Sequence, residues 1–167
     1  MALSAYLKLK GQRQGEIKGS VTQKGREGKI IVVAVSHEIV SPRDAASGLP
    51  TGKRMHKPFV ITKELDKSSP LLYIALTTNE NIPEWELQFW TPQIKAGTGV
   101  GSEVQHYTVK LTNANIASIA FRMANNKHPD LMRFAEYEEV AFTYQKIEWT
   151  WLDGGITSGD DWETPIS

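Results

Sequence analysis

The sequence predicts a mainly β protein whose strands pack as a barrel or a tight sandwich, with one α-helix and one long loop. Apolar residues alternate with polar ones along much of the chain, which is the pattern of half-buried strands. A single segment has helical spacing, and the longest strand changes its inward-facing side part-way along. These observations together indicate sheets that bend around a common core.

Apolar runs in the first three quarters of the chain predict most of the strands. Residues 30–35 are apolar throughout and rich in β-branched side chains, which predicts a strand buried on both faces. Glycines at positions 97, 99 and 101 predict a hairpin loop between two of the alternating runs. The alternating apolar positions are Ala5, Leu7 and Leu9; Trp85, Leu87 and Phe89; Tyr107, Val109 and Leu111; and Ala117, Ile119, Phe121 and Met123.

The longest run, residues 138–152, changes the parity of its apolar positions. They fall first at even positions and then at odd ones. Because a shift of one residue turns every side chain to the other face, we expect either a bulge near Gln145 or a strand that passes between two packed sheets. The apolar positions are Val140, Phe142 and Tyr144, followed by Ile147, Trp149 and Trp151.

One helix is predicted over residues 66–79. Asp66 or Ser69 is the candidate N-cap, and Pro70 is tolerated in the first turn. The helix is expected to end near Thr78 and Asn79. Its apolar face consists of Leu71, Leu72, Ala75 and Leu76.

Two segments have no hydrophobic period, residues 41–57 and the acidic tail at 153–167. The first, which we call the arm, is too long for an ordinary connection, and loops of this length are usually functional or disordered. We find no internal repeat and no domain boundary, so residues 1–167 are expected to form a single domain.

Composition limits the class of protein. The 167 residues are 40% apolar and 23% charged, which suits one folded domain. The absence of cysteine excludes disulfides, thiolate metal sites and a cysteine nucleophile. The longest apolar runs have six residues, whereas a membrane helix needs about 20. Without a secretory signal pattern at the N-terminus, we expect a soluble protein made in the cytoplasm.

Charge is divided unevenly along the chain. Residues 1–83 have 13 basic and 7 acidic side chains, residues 84–167 have 6 and 12, and the total charge is zero. A continuous positive excess, as nucleic-acid binding requires, is not indicated. The division fits either charges that mix on one surface or self-complementary association.

The sequence contains no pattern typical of catalysis or of metal binding. The histidines at positions 37, 56, 106 and 128 lack the spacing of a zinc motif, and we interpret His37 with Glu38 as an exposed pair. No nucleophile elbow or phosphate loop is present. Carboxylates cluster at 136–139 and 160–163, as in a glycosidase, but solvation accounts for them. No enzyme, cofactor or metal is therefore expected.

Several segments together resemble a known family. Residues 59–72, Phe-Val-Ile-Thr-Lys-Glu-Leu-Asp-Lys-Ser-Ser-Pro-Leu-Leu, resemble the strand-to-helix signature of the haemolysin-coregulated protein (Hcp) family, the tube protein of bacterial type VI secretion. Residues 144–149, followed by Gly154-Gly155 and Asp160-Asp161-Trp162, are similar to the end of one branch of that family. Residues 5–9, 11–19 and 31–37 agree as well, so the resemblance covers essentially the whole chain.

The resemblance implies a small β-barrel of two packed antiparallel sheets with one flanking α-helix and a long extended loop. It implies homohexameric rings that stack into a hollow tube, which a contractile sheath expels together with a spike and effectors. Assembly in the bacterial cytoplasm, followed by export to the extracellular space or into target cells without a cleaved signal peptide, is also implied. An alternative is a secreted ring that acts mainly as a carrier for effector proteins in its lumen. Neither role implies catalysis, a cofactor, nucleic acid or membrane insertion.

The resemblance places the arm at the face where rings stack, and the basic residues of the arm suggest an acidic counterpart on the next ring. The candidate stacking residues are Pro42, Arg43, Leu49, Pro50, Thr51, Gly52, Lys53, Arg54, Met55 and His56. The candidate counterpart residues are Glu136, Glu138, Glu139, Asp160 and Asp161.

Overall fold

A computed structural model describes residues 3–94 and 101–163, and strands dominate this part of the chain. The loop predicted at 97–101 falls largely outside the described residues. Within them there are twelve strands and one helix: β1 (Ser4–Gly11), β2 (Gly15–Ile17), β3 (Ile30–Val32), β4 (Ala34–Ser36), β5 (Ile39–Val40), β6 (Met55–His56), β7 (Phe59–Glu64), α1 (Ser69–Thr77), β8 (Ile82–Ile94), β9 (Gly101–Arg122), β10 (Tyr137–Thr143), β11 (Lys146–Trp151) and β12 (Ile156–Asp161).

The long strand β9 joins two antiparallel sheets. In the first sheet β1, β8, β9, β11 and β12 lie side by side, and β2 and β3 pair with the outer edge of β1. In the second sheet β9 is followed by β10, β7 and β4. The segment from β3 to β4 pairs first with β1 and then with β7, so the strands surround one core. The predicted mainly β fold of two packed sheets with one helix is confirmed.

Aromatic side chains form the centre of the core. Trp85 is buried between Phe59 and Phe142, with ring centroids 5.1 and 5.5 Å from its own, both in edge-to-face geometry. The alternating residues of β1 and β8 point into the same cluster, as predicted from their period of two. Leu72 and Ala75 of α1 close the core on the helix side.

The run 138–152 passes from one sheet to the other. It is divided into β10, which pairs with the second half of β9, and β11, which pairs with the first half. The crossing lies at Tyr144 and Gln145, where the Gln145 N–H donates to the Thr112 carbonyl at 3.1 Å. Of the two expectations, passage between packed sheets is therefore the one that holds.

Two predicted burial patterns are wrong. The segment 30–35 is half buried: Ile30 and Val32 are 0% and 4% exposed, whereas Ile31 and Val33 are 44% and 56% exposed. In β9 the inward side changes parity at Asn113, which has a left-handed φ of 51°. Ala114 and Ile116 consequently face the core. A second register shift beside Ala117 returns the inward side to odd positions, so Ile119 packs against the core. Phe121, further along the strand, is 53% exposed, and Ala117 and Met123 are exposed as well.

The helix begins and ends for different reasons. Neither Asp66 nor Ser69 is the N-cap; that position is Ser68, which makes no capping bond through its side chain. The Asp66 carboxylate instead accepts the Ser68 backbone N–H at 2.8 Å. The end agrees with the prediction: Asn79 adopts a φ of 51°, and its N–H and that of Glu80 donate to carbonyls of the last turn, as in a Schellman motif.

A buried ion pair connects β7, β10 and the start of α1. Lys63 and Glu138 are opposite each other in the β7–β10 pairing, and both side chains are 0% exposed. The Lys63 ammonium donates to Glu138 Oε1 at 2.6 Å and to Ser69 Oγ at 3.0 Å. It also lies 3.2 Å from Asp66 Oδ1, so one cation contacts acceptors in β10, in α1 and in the segment that connects β7 to α1.

The predicted aperiodic tail contains a strand. Residues 156–161 form β12, which pairs antiparallel with β11 from Trp151 opposite Ile156 to Lys146 opposite Asp161. Most of its side chains are exposed, because it is an edge strand with one open face. A strand with so little apolar burial has no alternation for the sequence to show.

Candidate functional site

The arm is a β-hairpin rather than an irregular loop. Its base is the two-stranded sheet of β5 and β6, and further out Arg43 forms a β-bridge with Pro50. The turn is closed by Asp44, whose carbonyl accepts the Gly48 N–H at 2.8 Å and whose carboxylate accepts the Ala46 N–H at 2.9 Å. Gly48 has a φ of 72°, which favours glycine at this position.

The tip of the arm, residues 43–53, is exposed throughout. It presents two basic side chains, Arg43 and Lys53, and the apolar side chain of Leu49, which is 64% exposed. The candidate residues Pro50, Thr51 and Gly52 belong to the same exposed tip. Among the described residues the tip thus combines positive charge with an uncovered apolar group.

The base of the arm is bound to the end of the same chain. Arg54 Nη2 donates to Asp160 Oδ1 at 2.7 Å and to the Asp161 carbonyl at 3.0 Å, and Arg54 Nε also donates to Asp160. The two side chains are only 17% and 29% exposed. Two residues expected to face each other across two rings, Arg54 and Asp160, therefore meet within one chain.

A chain of four hydrogen-bonded side chains, which we call the relay, lies beneath this ion pair. His37 Nε2 and His56 Nδ1 are each 2.8 Å from the Tyr144 hydroxyl, and His56 Nε2 is 2.7 Å from Asp160 Oδ2. The interpretation of His37 and Glu38 as an exposed pair is wrong for His37, because its ring packs on Phe59 at 4.9 Å. Glu38 is exposed, as expected.

With both histidines neutral, the relay satisfies every group in one direction. His37 Nε2–H donates to the Tyr144 oxygen, the Tyr144 hydroxyl donates to His56 Nδ1, and His56 Nε2–H donates to Asp160. This assignment fixes the tautomer of each ring from its partners.

Burial and neighbouring charges shift the pKa of three members of the relay. Burial, followed by the charge of a protonated His56, lowers the pKa of His37 below its ordinary value. Burial, and to a smaller extent the Asp160 carboxylate, raises the pKa of Tyr144 far above its usual range. The hydrogen bond from Arg54 is the main cause that lowers the pKa of Asp160. Tyr144 therefore stays a neutral hydroxyl and Asp160 an anion at neutral pH.

Trp162 covers the relay from the side of the chain end. Its ring stacks on His56 with centroids 6.0 Å apart, and its indole N–H donates to the Tyr144 carbonyl. In the sequence Trp162 lies in the acidic tail, outside the alternating runs, and this contact explains its position. His37 and Tyr144 carry no comparable signal, because their partners lie about a hundred residues away in the chain.

The five candidate acidic residues differ in exposure and in the partners that they have within the chain. Glu138 is buried on Lys63, and Asp160 is bound by Arg54, so neither is free to meet another ring. Asp161 accepts a hydrogen bond from Gln145 at 3.3 Å beside the base of the arm. Glu136 is exposed, and Glu139, whose nearest cation is Arg122 at 4.0 Å, has a side chain that is 42% exposed.

Neither a metal centre nor a membrane helix emerges from the described ranges. Within residues 3–94 and 101–163 there is no group of three or more histidine, aspartate and glutamate side chains that could hold a metal ion. The same part of the chain has no helix long and apolar enough to cross a bilayer.

Comparison with known proteins identifies the family. A family model described as "Type VI secretion system effector, Hcp" matches residues 6–151. The chain belongs to the Hcp family. The family expected from residues 59–72 and 144–162, and with it the expected function as a tube protein of type VI secretion, is confirmed.

Similar Hcp proteins are matched over nearly their full lengths. The "Major exported protein" of Pseudomonas aeruginosa PAO1 is 39% identical, and the alignment covers 100% of this chain and 99% of that protein. A crystal structure of an Hcp protein has a TM-score of 0.87 at 33% identity and covers 98% of this chain and 100% of its own. A mutant Hcp1 protein from E. coli EAEC 042 has a TM-score of 0.80 at 38% identity, with 96% and 99% covered.

Proposed function

We propose that six copies of this chain close into a ring, and that rings stack head to tail through the arm to build the type VI secretion tube. In this proposal the tube lies inside a contractile sheath, is tipped by a spike, and is exported together with effectors. The 39% sequence identity to an exported protein of P. aeruginosa supports export of this chain.

One geometric observation supports head-to-tail stacking: the arm and the exposed acidic residues lie at opposite ends of the β7–β10 ladder. The arm precedes Phe59, which pairs with Phe142 at one end of the β7–β10 ladder, whereas Glu64 pairs with Tyr137, next to Glu136, at the other end. The six residues of β7 span roughly 20 Å at about 3.3 Å per residue. A subunit with a basic arm at one end and exposed acids at the other is suited to heterologous, head-to-tail contacts.

The acidic end also provides an apolar groove. A cavity of 540 Å³ is lined by Val33, Leu131, Phe134 and Tyr137, with Glu64 and Arg133 at its polar edge. Phe134 is 62% exposed, so the groove is open in the single chain. We assign to this groove the exposed Leu49 of a second copy, with Arg43 and Lys53 beside Glu136 and Glu139. Individual exposed ion pairs contribute about 0–1 kcal/mol, and six-fold repetition multiplies that small contribution.

Shortening the tip tests the stacking role of the arm. We expect replacement of residues 44–52 by a short Gly-Ser link to leave hexamers intact by light scattering. Ring stacks in electron micrographs and secretion should both be lost. The replacement keeps Arg54 and His56, because these residues bind Asp160 within the chain. Long tubes from the shortened protein, or hexamers that dissociate, would contradict this assignment.

Charge reversal with rescue tests the proposed counterpart. We expect Arg43→Glu with Lys53→Glu to reduce stacking, and the further changes Glu136→Lys and Glu139→Lys to restore it, because unlike charges then face each other again. The matched control is Lys18→Glu with Lys24→Glu, which makes the same charge change at exposed positions outside the arm. Equal loss of stacking in the control, or no rescue, would count against the counterpart.

A further inference from the structure

The relay has two histidines that share one hydroxyl, and this limits how many protons it accepts. A first proton is accommodated. When it resides on His56, the Nδ1–H donates to the Tyr144 oxygen and the hydroxyl turns to donate to His37 Nε2. His56 then faces the Asp160 carboxylate at 2.7 Å, which stabilises its charge.

A second proton is not accommodated. With both rings charged, His37 Nε2 and His56 Nδ1 both donate to the Tyr144 oxygen, and the Tyr144 hydrogen has no acceptor within the relay. Two positive rings are then held on either side of one oxygen in a buried site, so each opposes the charge of the other. A buried hydroxyl without an acceptor, between two rings of the same charge, makes the doubly protonated relay unfavourable.

The other charged groups around the relay do not relieve this conflict. Arg54, on the arm, adds a third positive charge against Asp160. The Asp161 carboxylate accepts a hydrogen bond from the Gln145 amide. Glu38 and Lys57 pair with each other at 2.9 Å, with side chains 60% and 50% exposed. Asp160 is thus the one carboxylate in contact with the relay among the described residues, and it serves two cations already.

We propose that the relay is an acid-sensitive clasp, which holds the base of the arm against Trp162 and β12 at neutral pH and releases it when both histidines are protonated. Opening frees His37 to take the second proton in water, so acid favours the open arm. If the arm stacks rings, as proposed above, acid weakens stacking by loosening the base of the contact; opening of the clasp itself does not depend on that function.

The direction of the pH effect follows from linkage. Because burial lowers the pKa of His37 in the closed state, the open state binds more protons below the ordinary histidine value of 6.5. Closure is therefore fully favoured above that pH and is lost progressively as the pH falls through it towards the lowered pKa of His37. Asp160, whose pKa is lowered from 3.8, stays ionised across this window.

Hydrogen exchange of the full-length protein between about pH 7.5 and pH 5 tests the clasp. We expect the protection factors of the amides of β5, β6 and Lys57, corrected for the intrinsic exchange rate, to fall severalfold in acid. His37→Gln, which keeps a donor for Tyr144 but does not titrate, should abolish this fall. His128→Gln is the matched control, because the His128 side chain is 57% exposed and does not belong to the relay. This variant should show the same fall in protection as the unsubstituted protein.

An unchanged protection of the arm in acid, or an equal fall in His37→Gln, would overturn the clasp. If His37→Gln does not fold, NMR titration of the unsubstituted protein decides: His37 titrating well below His128 supports the clasp, and His37 titrating at or above His128 overturns it. Electron micrographs at both pH values separate the two proposals. An arm that opens in acid while stacks persist contradicts the stacking role and leaves the clasp supported.

Discussion

Lys63→Met is expected to lower the free energy of unfolding by about 3–5 kcal/mol, because it leaves the Glu138 carboxylate buried without its cation. Both side chains are 0% exposed, and among residues 3–94 and 101–163 nothing donates a hydrogen bond to Glu138 Oε2 even in the intact pair. The change should be measured by urea denaturation at a fixed protein concentration, since association with other copies adds to apparent stability.

The double change Lys63→Met with Glu138→Leu should recover most of this loss, because it removes the buried charge together with its partner. Lys57→Met is the matched single-lysine control: its pair with Glu38 is exposed and is expected to contribute less than about 1 kcal/mol. A double variant as unstable as Lys63→Met alone would show that the network does more than neutralise Glu138.

Leu72→Asp should destabilise the fold by about 4 kcal/mol or more, since it places an unpaired carboxylate where a 0% exposed side chain closes the core. If this variant does not fold, Leu72→Ala provides the measurable value, with an expected loss of about 2–5 kcal/mol from the cavity. Thermal and urea unfolding both report the change.

Ile74→Asp is the control on the same helix, because Ile74 is 46% exposed and makes no part of the buried cluster. We expect its free energy of unfolding to stay within about 1 kcal/mol of the unsubstituted protein. Equal losses for Leu72→Asp and Ile74→Asp would mean that α1 turns a different face to the sheets.

The family, the fold class and several element ends could be predicted from the sequence, because each depends on residues close together in the chain. Alternation in β1 and β8 places Leu7, Leu9 and Leu87 in the core, as their period of two indicates. The helix ends where an asparagine adopts the left-handed conformation at the end of its apolar stripe. The parity change in residues 138–152 likewise indicates that the chain passes from one sheet to the other.

The burial of charged and apolar side chains followed the pattern less closely. Lys63 and Glu138 have charged side chains that favour solvent, although their positions share the inward parity of Ile61 and Val140, and the direct pairing of β7 and β10 buries them together. Phe121 belongs to an alternating apolar run but is 53% exposed near the end of β9, a strand that changes its inward parity at Asn113 and changes it back beside Ala117. A period of two shows which residues of one strand share a face. It does not show where the strand changes the face that it turns to the core.

The sequence by itself determined the alternating strands, the helix and the Hcp family, because each of these depends on short segments of neighbouring residues. Only the tertiary structure decided that the base of the arm is bound to the end of the chain. His37 lies 107 positions before Tyr144, and His56 lies 104 before Asp160. Such contacts depend on which strands pair and in what register, and no local pattern records that choice because each of these residues is compatible with an exposed position in its own segment.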